Sequence, residues 1–361
     1  MKTLSVCMIV RNEEKTLENA IKNIHLFADQ LVIVDTGSTD KTVEIAKKYT
    51  NEVYFFEWCD NFAAAQNFAT SFSKCDFDTK WDADFEIDAN SANRILQAKK
   101  NDFDGSNLIY FTWVIEHGDK GEPRKSVVRE FIFKKDDFEY KYPIHVAITP
   151  KDKTIIKSSV HRDVVIHHMK DRVEKKGRYT QTMRLVKERV KKYPNEIRFV
   201  FYLGEELMFE NLYKEAIPIW KKYIKLCEDQ NSEIAMIANE KLLRCYLGLD
   251  KIKKAFKLSK KKYKQYSNFP RYILIYADIL SLINIDEAIG SYEKYISMNY
   301  SSIDTFSGFD IERFYVYPRI ILGKYYLSIG KKKEANIFLN EALNKTTQSK
   351  TKLDINNLLL K

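Results

Sequence analysis

Asp82-Ala83-Asp84 sets two carboxylates one residue apart behind a short strand-like segment. Such a pair can hold a divalent cation, and the cation in turn a diphosphate. Upstream, the apolar run Leu4–Val10 ends in Arg11-Asn12-Glu13-Glu14, and Leu31-Val32-Ile33-Val34 ends in Asp35-Thr36-Gly37-Ser38-Thr39-Asp40. Each polar cluster follows an apolar run, which predicts a nucleotide-diphosphate site at the carboxyl ends of parallel strands. A second pair with the same spacing, Asp76-Phe77-Asp78, is expected to precede its strand and is discounted.

The elements that must position these residues read as alternating strands and helices. Residues 3–10, 31–35 and 53–56 are expected strands, and 13–26, 40–49 and 61–73 expected helices, the first with Leu17, Ala20, Ile21, Ile24 and His25 at helical spacing. Ser38, Thr39 and Asp40 offer capping oxygens to the second helix. This order implies a parallel sheet with helices on both faces. From 107 to 168 the alternation loosens, and Leu108–Val114, Val127–Lys134 and His161–His168 read as a small mixed extension of the same sheet. From about 176 onward everything reads helical, in units beginning near Asn195, Ser232, Pro270 and Tyr315. Leu203-Gly204, Leu247-Gly248 and Leu322-Gly323 recur within them, and a period of about 35 residues resembles tetratricopeptide (TPR) helical hairpins stacked into a solenoid.

Composition sets outer limits. The chain has 361 residues, 45% of them hydrophobic, which supports packed cores and two domains, at 1–175 and 176–361. The net charge of +10 is uneven: residues 176–361 carry 34 Lys and Arg against 21 Asp and Glu, whereas residues 1–175 carry 26 against 29. A solvated helical surface accounts for the basic half. Nucleic acid is disfavoured as a partner, since the Tyr and Lys interleaving of residues 260–266 equally suits a helix with one buried aromatic stripe. The five cysteines show no C-x-x-C spacing and suit a reducing cytoplasm. No signal peptide is expected, because the first apolar run meets charge within ten residues, and no transmembrane helix, because no 18-residue apolar run exists.

Taken together, Val10-Arg11-Asn12-Glu13, Val34–Thr42, Trp58-Cys59-Asp60-Asn61-Phe62-Ala63-Ala64-Ala65-Gln66-Asn67 and Asp82-Ala83-Asp84 resemble the family 2 glycosyltransferases. The resemblance covers roughly residues 1–170 and implies a GT-A fold, an α/β nucleotide-diphospho-sugar transferase domain. With an all-α repeat domain behind it, the whole chain resembles the bacterial branch that includes the S-glycosyltransferases of glycocin peptides. That resemblance implies a metal-dependent, inverting transfer from a nucleotide-sugar, a UDP-sugar by default, to a peptide, protein or saccharide acceptor, with the repeats gripping a polypeptide or supporting a homo-oligomer.

Site residues follow from the same resemblance. Mn2+ or Mg2+ would stabilise the leaving diphosphate as a Lewis acid. Asp84 is the expected direct ligand, with Asp82 reaching the ribose or a water on the metal. His168, slightly preferred over His167, would complete the metal site, and imidazole suits Mn2+ better than Mg2+. Val10, Arg11, Asn12 and Glu13 would hold base and ribose, Asp35 the nucleoside, and Asp60 and Asn67 the same cleft. Arg129 would face the diphosphate. His145 is the expected catalytic base, with Glu116 and His117 as alternatives, because Val146 stands where relatives often carry an acid. Gln66 likewise replaces an Arg common in relatives. Each residue also has a plainer reading: Asp35 as a turn residue, Glu13 as a first-turn acid, Trp58 and Phe62 as core or cleft wall, and His145 and His168 as packed histidines. Two other classes compete: a repeat scaffold with a degenerate transferase domain, and a nucleotidyltransferase, which would open with a Gly-rich loop that this chain lacks.

Overall fold

A computed structural model describes residues 2–169, 175–300 and 308–360, with side chains described from 181 onward in the helix that begins at Lys175. Two compact units emerge. The first holds Met1–His117, Pro123–Lys176 and Thr305–Phe309; the second holds Gly118–Glu122, Gly177–Asp304 and Asp310–Lys361.

The first unit runs β1 (Leu4–Val10), α1 (Leu17–Ile24), β2 (Gln30–Asp35), α2 (Thr42–Lys47), β3 (Val53–Phe55), α3 (Phe62–Thr70), β4 (Phe77–Lys80), β5 (Phe85–Ile87), α4 (Ala89–Asn101), β6 (Leu108–His117), β7 (Pro123–Lys134), β8 (Phe138–Lys141), β9 (Ala147–Pro150) and β10 (Ser158–His168). One sheet carries the order β3-β2-β1-β4-β7-β6-β10-β5. β3, β2, β1 and β4 are parallel, β7 is antiparallel to β4 and β6, β10 is parallel to β6, and β5 closes the path antiparallel to β10. The mixed half is the expected extension of the parallel sheet. The β8–β9 hairpin stands apart from it.

Side chains of β1 alternate between two cores, as strand geometry requires. Leu4, Val6, Met8 and Val10 pack with Leu17, Ile21 and Ile24 of α1 and Ile95 of α4. Cys7 faces the other way, toward Val32, Val34 and Ala69 of α3. Both sheet faces are therefore covered by helices. The helices are shorter than the periodicity predicts, because polar side chains bond the loop backbone before each begins. Residues 13–16 form a turn ahead of α1, and Asp40, one residue before the N-cap Lys41 of α2, accepts from the Thr42 amide at 2.9 Å.

Asp78 does not precede β4 but sits inside it, fully buried between Ser5 of β1 and Phe133 of β7. β4 is thus a buried strand that carries polar side chains.

In the second unit, among the described residues, α5 (Lys175–Lys192) leads into four helical hairpins: α6 (Ile197–Phe209) with α7 (Tyr213–Leu226), α8 (Glu233–Gly248) with α9 (Ile252–Tyr266), α10 (Pro270–Ser281) with α11 (Ile285–Ser297), and α12 (Tyr317–Ser328) with α13 (Lys332–Lys345). α14 (Ser349–Leu359) follows. These are the four units expected from the sequence. The recurrent glycines mark close packing. A Cβ on Gly204 would lie 2.6 Å from the Trp220 ring, one on Gly323 2.6 Å from Leu339, and one on Gly248 2.5 Å from the Tyr213 ring. Three hairpin turns each need one left-handed residue, supplied by Asn211, Asp250 and Gly330.

Candidate active site

Strand register brings the motif loops to one edge. Val10 pairs with Asp35, and Asp35 with Phe55, so β1, β2 and β3 end level. Lys80, the last residue of β4, pairs with Cys7, and Trp81–Asp84 continue from it toward β5.

The loops after β1 and β2 are laced together. The Asn12 amide donates to Ser38 Oγ at 3.0 Å, and Asn12 Oδ1 accepts from the Thr39 amide at 2.8 Å. The Glu13 amide donates to Thr42 Oγ1 at 2.7 Å, and that of Glu14 to Asp40 Oδ2 at 3.1 Å. Asn12 takes the left-handed conformation (φ 53°) to allow this, one that Asn tolerates better than most residues. The carbonyl of the buried Val10 accepts from the Thr36 amide at 3.0 Å. Buried Glu13 accepts from the Thr16 hydroxyl at 3.1 Å. Arg11 is exposed. Asp35, 6% exposed, folds its carboxylate back on its own turn, accepting from the Gly37 amide at 3.0 Å and the Ser38 amide at 3.1 Å. The plainer reading of Asp35 as a turn residue thus describes real bonds, whereas Glu13 lies ahead of α1, whose first-turn acid is Glu18.

Asn67 has a task that sequence reasoning missed. Its Nδ2 donates to the Tyr140 carbonyl at 2.8 Å while its Oδ1 accepts from the Tyr140 amide at 2.9 Å. This two-point bond mimics a strand partner and fastens β8 onto α3. Asn61 caps α3 through the Ala64 amide at 3.1 Å. Asp60, left-handed at φ 56°, accepts from Trp58 Nε1 at 3.0 Å, and Trp58 packs edge-on against Phe62. The substituted Gln66 is buried, and its Oε1 has no hydrogen-bond partner.

At the far end of the edge, Asp84 is 5% exposed and its Oδ2 lies 3.1 Å from His168 Nε2. The Met169 amide donates to the Asp84 carbonyl at 2.9 Å, tying the carboxylate loop to the end of β10. The His168 ring sits edge-on to Phe85 and tilted against Trp113, and its Nδ1 is buried without a hydrogen-bond partner. Asp82 is half-buried and lines a small recess with Arg129, whose guanidinium lies over the Trp113 ring. His167 turns the other way, as alternation demands: its Nδ1 lies 2.9 Å from Nε2 of His117. Burial pulls both imidazoles below the usual histidine range. Glu116 is held by Arg124 at 3.3 Å. His145 is half-buried in the loop between β8 and β9, where both Tyr142 (φ 79°) and His145 (φ 49°) are left-handed, and the Pro143 carbonyl accepts from the Phe62 amide at 2.9 Å. Strained backbone of this kind gathers where a structure is held for a function.

Among the described residues no group of three or more His, Cys, Asp or Glu side chains could hold a metal ion. Asp84 and His168 form a pair. Their 3.1 Å contact is a direct hydrogen bond, and a carboxylate and an imidazole are donors that could together hold a divalent cation.

Residues 5–164 match the family described as Glycosyl transferase family 2. A TPR repeat-containing protein of Synechococcus elongatus is 29% identical over 148 residues, 40% of this chain and 35% of that one. An uncharacterized glycosyltransferase of Rickettsia bellii is 35% identical over 86 residues, 24% of this chain and 29% of that one. The chain thus spans about a third of the length of these curated relatives. Among solved structures, a thermophilic TPR protein of Thermus thermophilus aligns at 17% identity and a TM-score of 0.38, covering 52% of this chain and 94% of that one. No helix among the described residues is long and apolar enough to cross a membrane. The chain joins a glycosyltransferase domain of family 2, with the α/β GT-A fold, to an all-α TPR-like repeat region.

Proposed function

We propose that the enzyme transfers a sugar from a UDP-sugar to a peptide or protein acceptor, with inversion at the anomeric carbon and with the help of Mn2+ or Mg2+. The observation that carries this reading is the Asp84–His168 pair, 3.1 Å apart at the end of the strand edge where the motif loops meet. A mixed carboxylate and imidazole donor set favours Mn2+. The bound cation would offset the charge that grows on the diphosphate as it leaves.

The chain's own residues divide the remaining work. Asp82 takes the ribose or a water on the metal, and Arg129 the diphosphate. Asp35 orients the nucleoside, with Val10, Arg11, Asn12 and Glu13 around base and ribose and Asp60 beside them. His145 accepts the proton of the acceptor's S–H, O–H or N–H as that atom bonds to the anomeric carbon. The bond from that carbon to the phosphate oxygen breaks at the same time, and the nucleoside diphosphate departs with its electrons. A peptide acceptor is favoured by a groove of about 300 Å³ in the repeat unit, lined by Ile197, Phe201, Tyr202, Ile234 and Ile237 with Arg198 at hand. Such a surface suits an extended segment with an apolar side chain. A cysteine-bearing glycocin-type peptide is one such acceptor, supported by the domain order alone.

The test is calorimetric binding of UDP with and without Mn2+, alongside acceptor-free hydrolysis of UDP-glucose and UDP-N-acetylglucosamine. Asp84→Ala should abolish the manganese-dependent part of both. UDP binding that is equally tight in EDTA, or unchanged in Asp84→Ala, would refute the metal reading.

A further inference from the structure

β7 carries an irregularity beside the carboxylate loop. Ile109 of β6 pairs with Ile132, but its neighbour Tyr110 pairs with Glu130, so Phe131 is an extra residue on β7. Regular strands send neighbouring side chains to opposite faces. A bulge breaks that alternation and re-aims them. Here Arg129, Glu130 and Phe131, three residues in a row, all line one recess, together with Lys80, Asp82, Phe85 and Trp113. Arg129 and Glu130 lie close enough for an ion contact at 3.5 Å.

The recess measures about 20 Å³. That is the room of one water molecule or one hydroxyl group, far less than a whole sugar ring. Its charged lining is balanced, Lys80 and Arg129 against Asp82 and Glu130, which suits a neutral hydroxyl better than a phosphate. The indole of Trp113 forms one wall, and its Nε1–H is buried without a hydrogen-bond partner.

We propose that this bulge-built recess receives one hydroxyl of the transferred sugar, with Glu130 accepting its hydrogen bond and Trp113 forming the wall, so that Glu130 sets which sugar is transferred. The proposal rests on the nucleotide-sugar reading above and adds a specificity residue that neither motif nor spacing singles out. Asp82 shares the recess and would link sugar recognition to the neighbouring Asp84.

The experiment uses the full chain with Mn2+ and three measurements: UDP affinity, hydrolysis of UDP-glucose, UDP-galactose and UDP-N-acetylglucosamine, and hydrolysis of monodeoxy analogues of the best donor. In the wild type one donor should exceed the worst by about 10- to 100-fold in kcat/KM, the range expected of one hydrogen bond to a charged group. Glu130→Gln should compress that spread to about threefold; because Glu130 also contacts Arg129, UDP affinity is measured alongside, and the spread among donors is the readout. Removing one hydroxyl from the donor should cost the wild type that same factor and cost Glu130→Gln little more. Trp113→Phe keeps the ring, removes the N–H, and should narrow the spread in the same direction. A ranking and spread that survive both substitutions, or a wild type indifferent to the donor, would overturn the proposal. Absence of UDP binding in the wild type would instead bring down the nucleotide-sugar reading itself.

Discussion

Asp78 offers the sharpest test of how β4 is held. It is fully buried between β1 and β7. Burial drives its carboxyl up to about 7, against smaller opposing effects from the Ser73 hydroxyl, Lys135 and the Cys7 thiol. One carboxylate oxygen, Oδ2, has no hydrogen-bond partner. In the unfolded chain the same group titrates at about 3.9. A carboxyl raised in the folded state contributes stability that is fully present below the unfolded value and is lost as pH rises through about 7. Over the whole window the loss is at most about 4 kcal/mol, three units at about 1.4 kcal/mol each. Between pH 5 and pH 8 it amounts to about 2–3 kcal/mol. Asp78→Asn removes the ionisation and keeps the shape. Urea unfolding at pH 5, 6.5 and 8, followed by tryptophan fluorescence, should therefore show the variant gaining on the wild type by about 2–3 kcal/mol as pH rises. All other titrating groups cancel in that difference. Any constant cost of the amide shifts both ends equally and leaves the slope. A difference between the two proteins that does not change with pH would refute the reasoning.

Further expectations concern the packing around the site and the repeats. Gly204→Ala should destabilise the repeat unit by about 1–3 kcal/mol in chemical denaturation, because the new methyl meets the Trp220 ring at 2.6 Å. Gly290→Ala, inside α11 with no atom within 4 Å of the new Cβ, should instead stabilise it by about 0.5–1 kcal/mol. Asn67→Ala should cost about 1–3 kcal/mol by stripping both bonds from the Tyr140 backbone, and hydrogen exchange should show β8 opening ahead of β1.

The amino-acid sequence alone determined the local features. Apolar runs of strand length, helical spacing in residues 17–25 and the recurring Leu-Gly pairs are properties of near neighbours, so the α/β domain, its strand-end motifs and the four hairpins were legible from composition and period. Asp82, Asp84 and the loops at 11–13 and 35–40 stood out because chemistry-bearing residues followed apolar strands. Only the tertiary structure decided what each of them touches. Asn67 spends its amide on Tyr140, 73 residues away, and His168 meets Asp84 across 84 residues. The Phe131 bulge that turns Arg129 and Glu130 into one recess is a property of strand register. Register, bulge and burial arise from pairing between distant segments, whose partners are selected by how whole faces fit together, and no local pattern of residues encodes that choice.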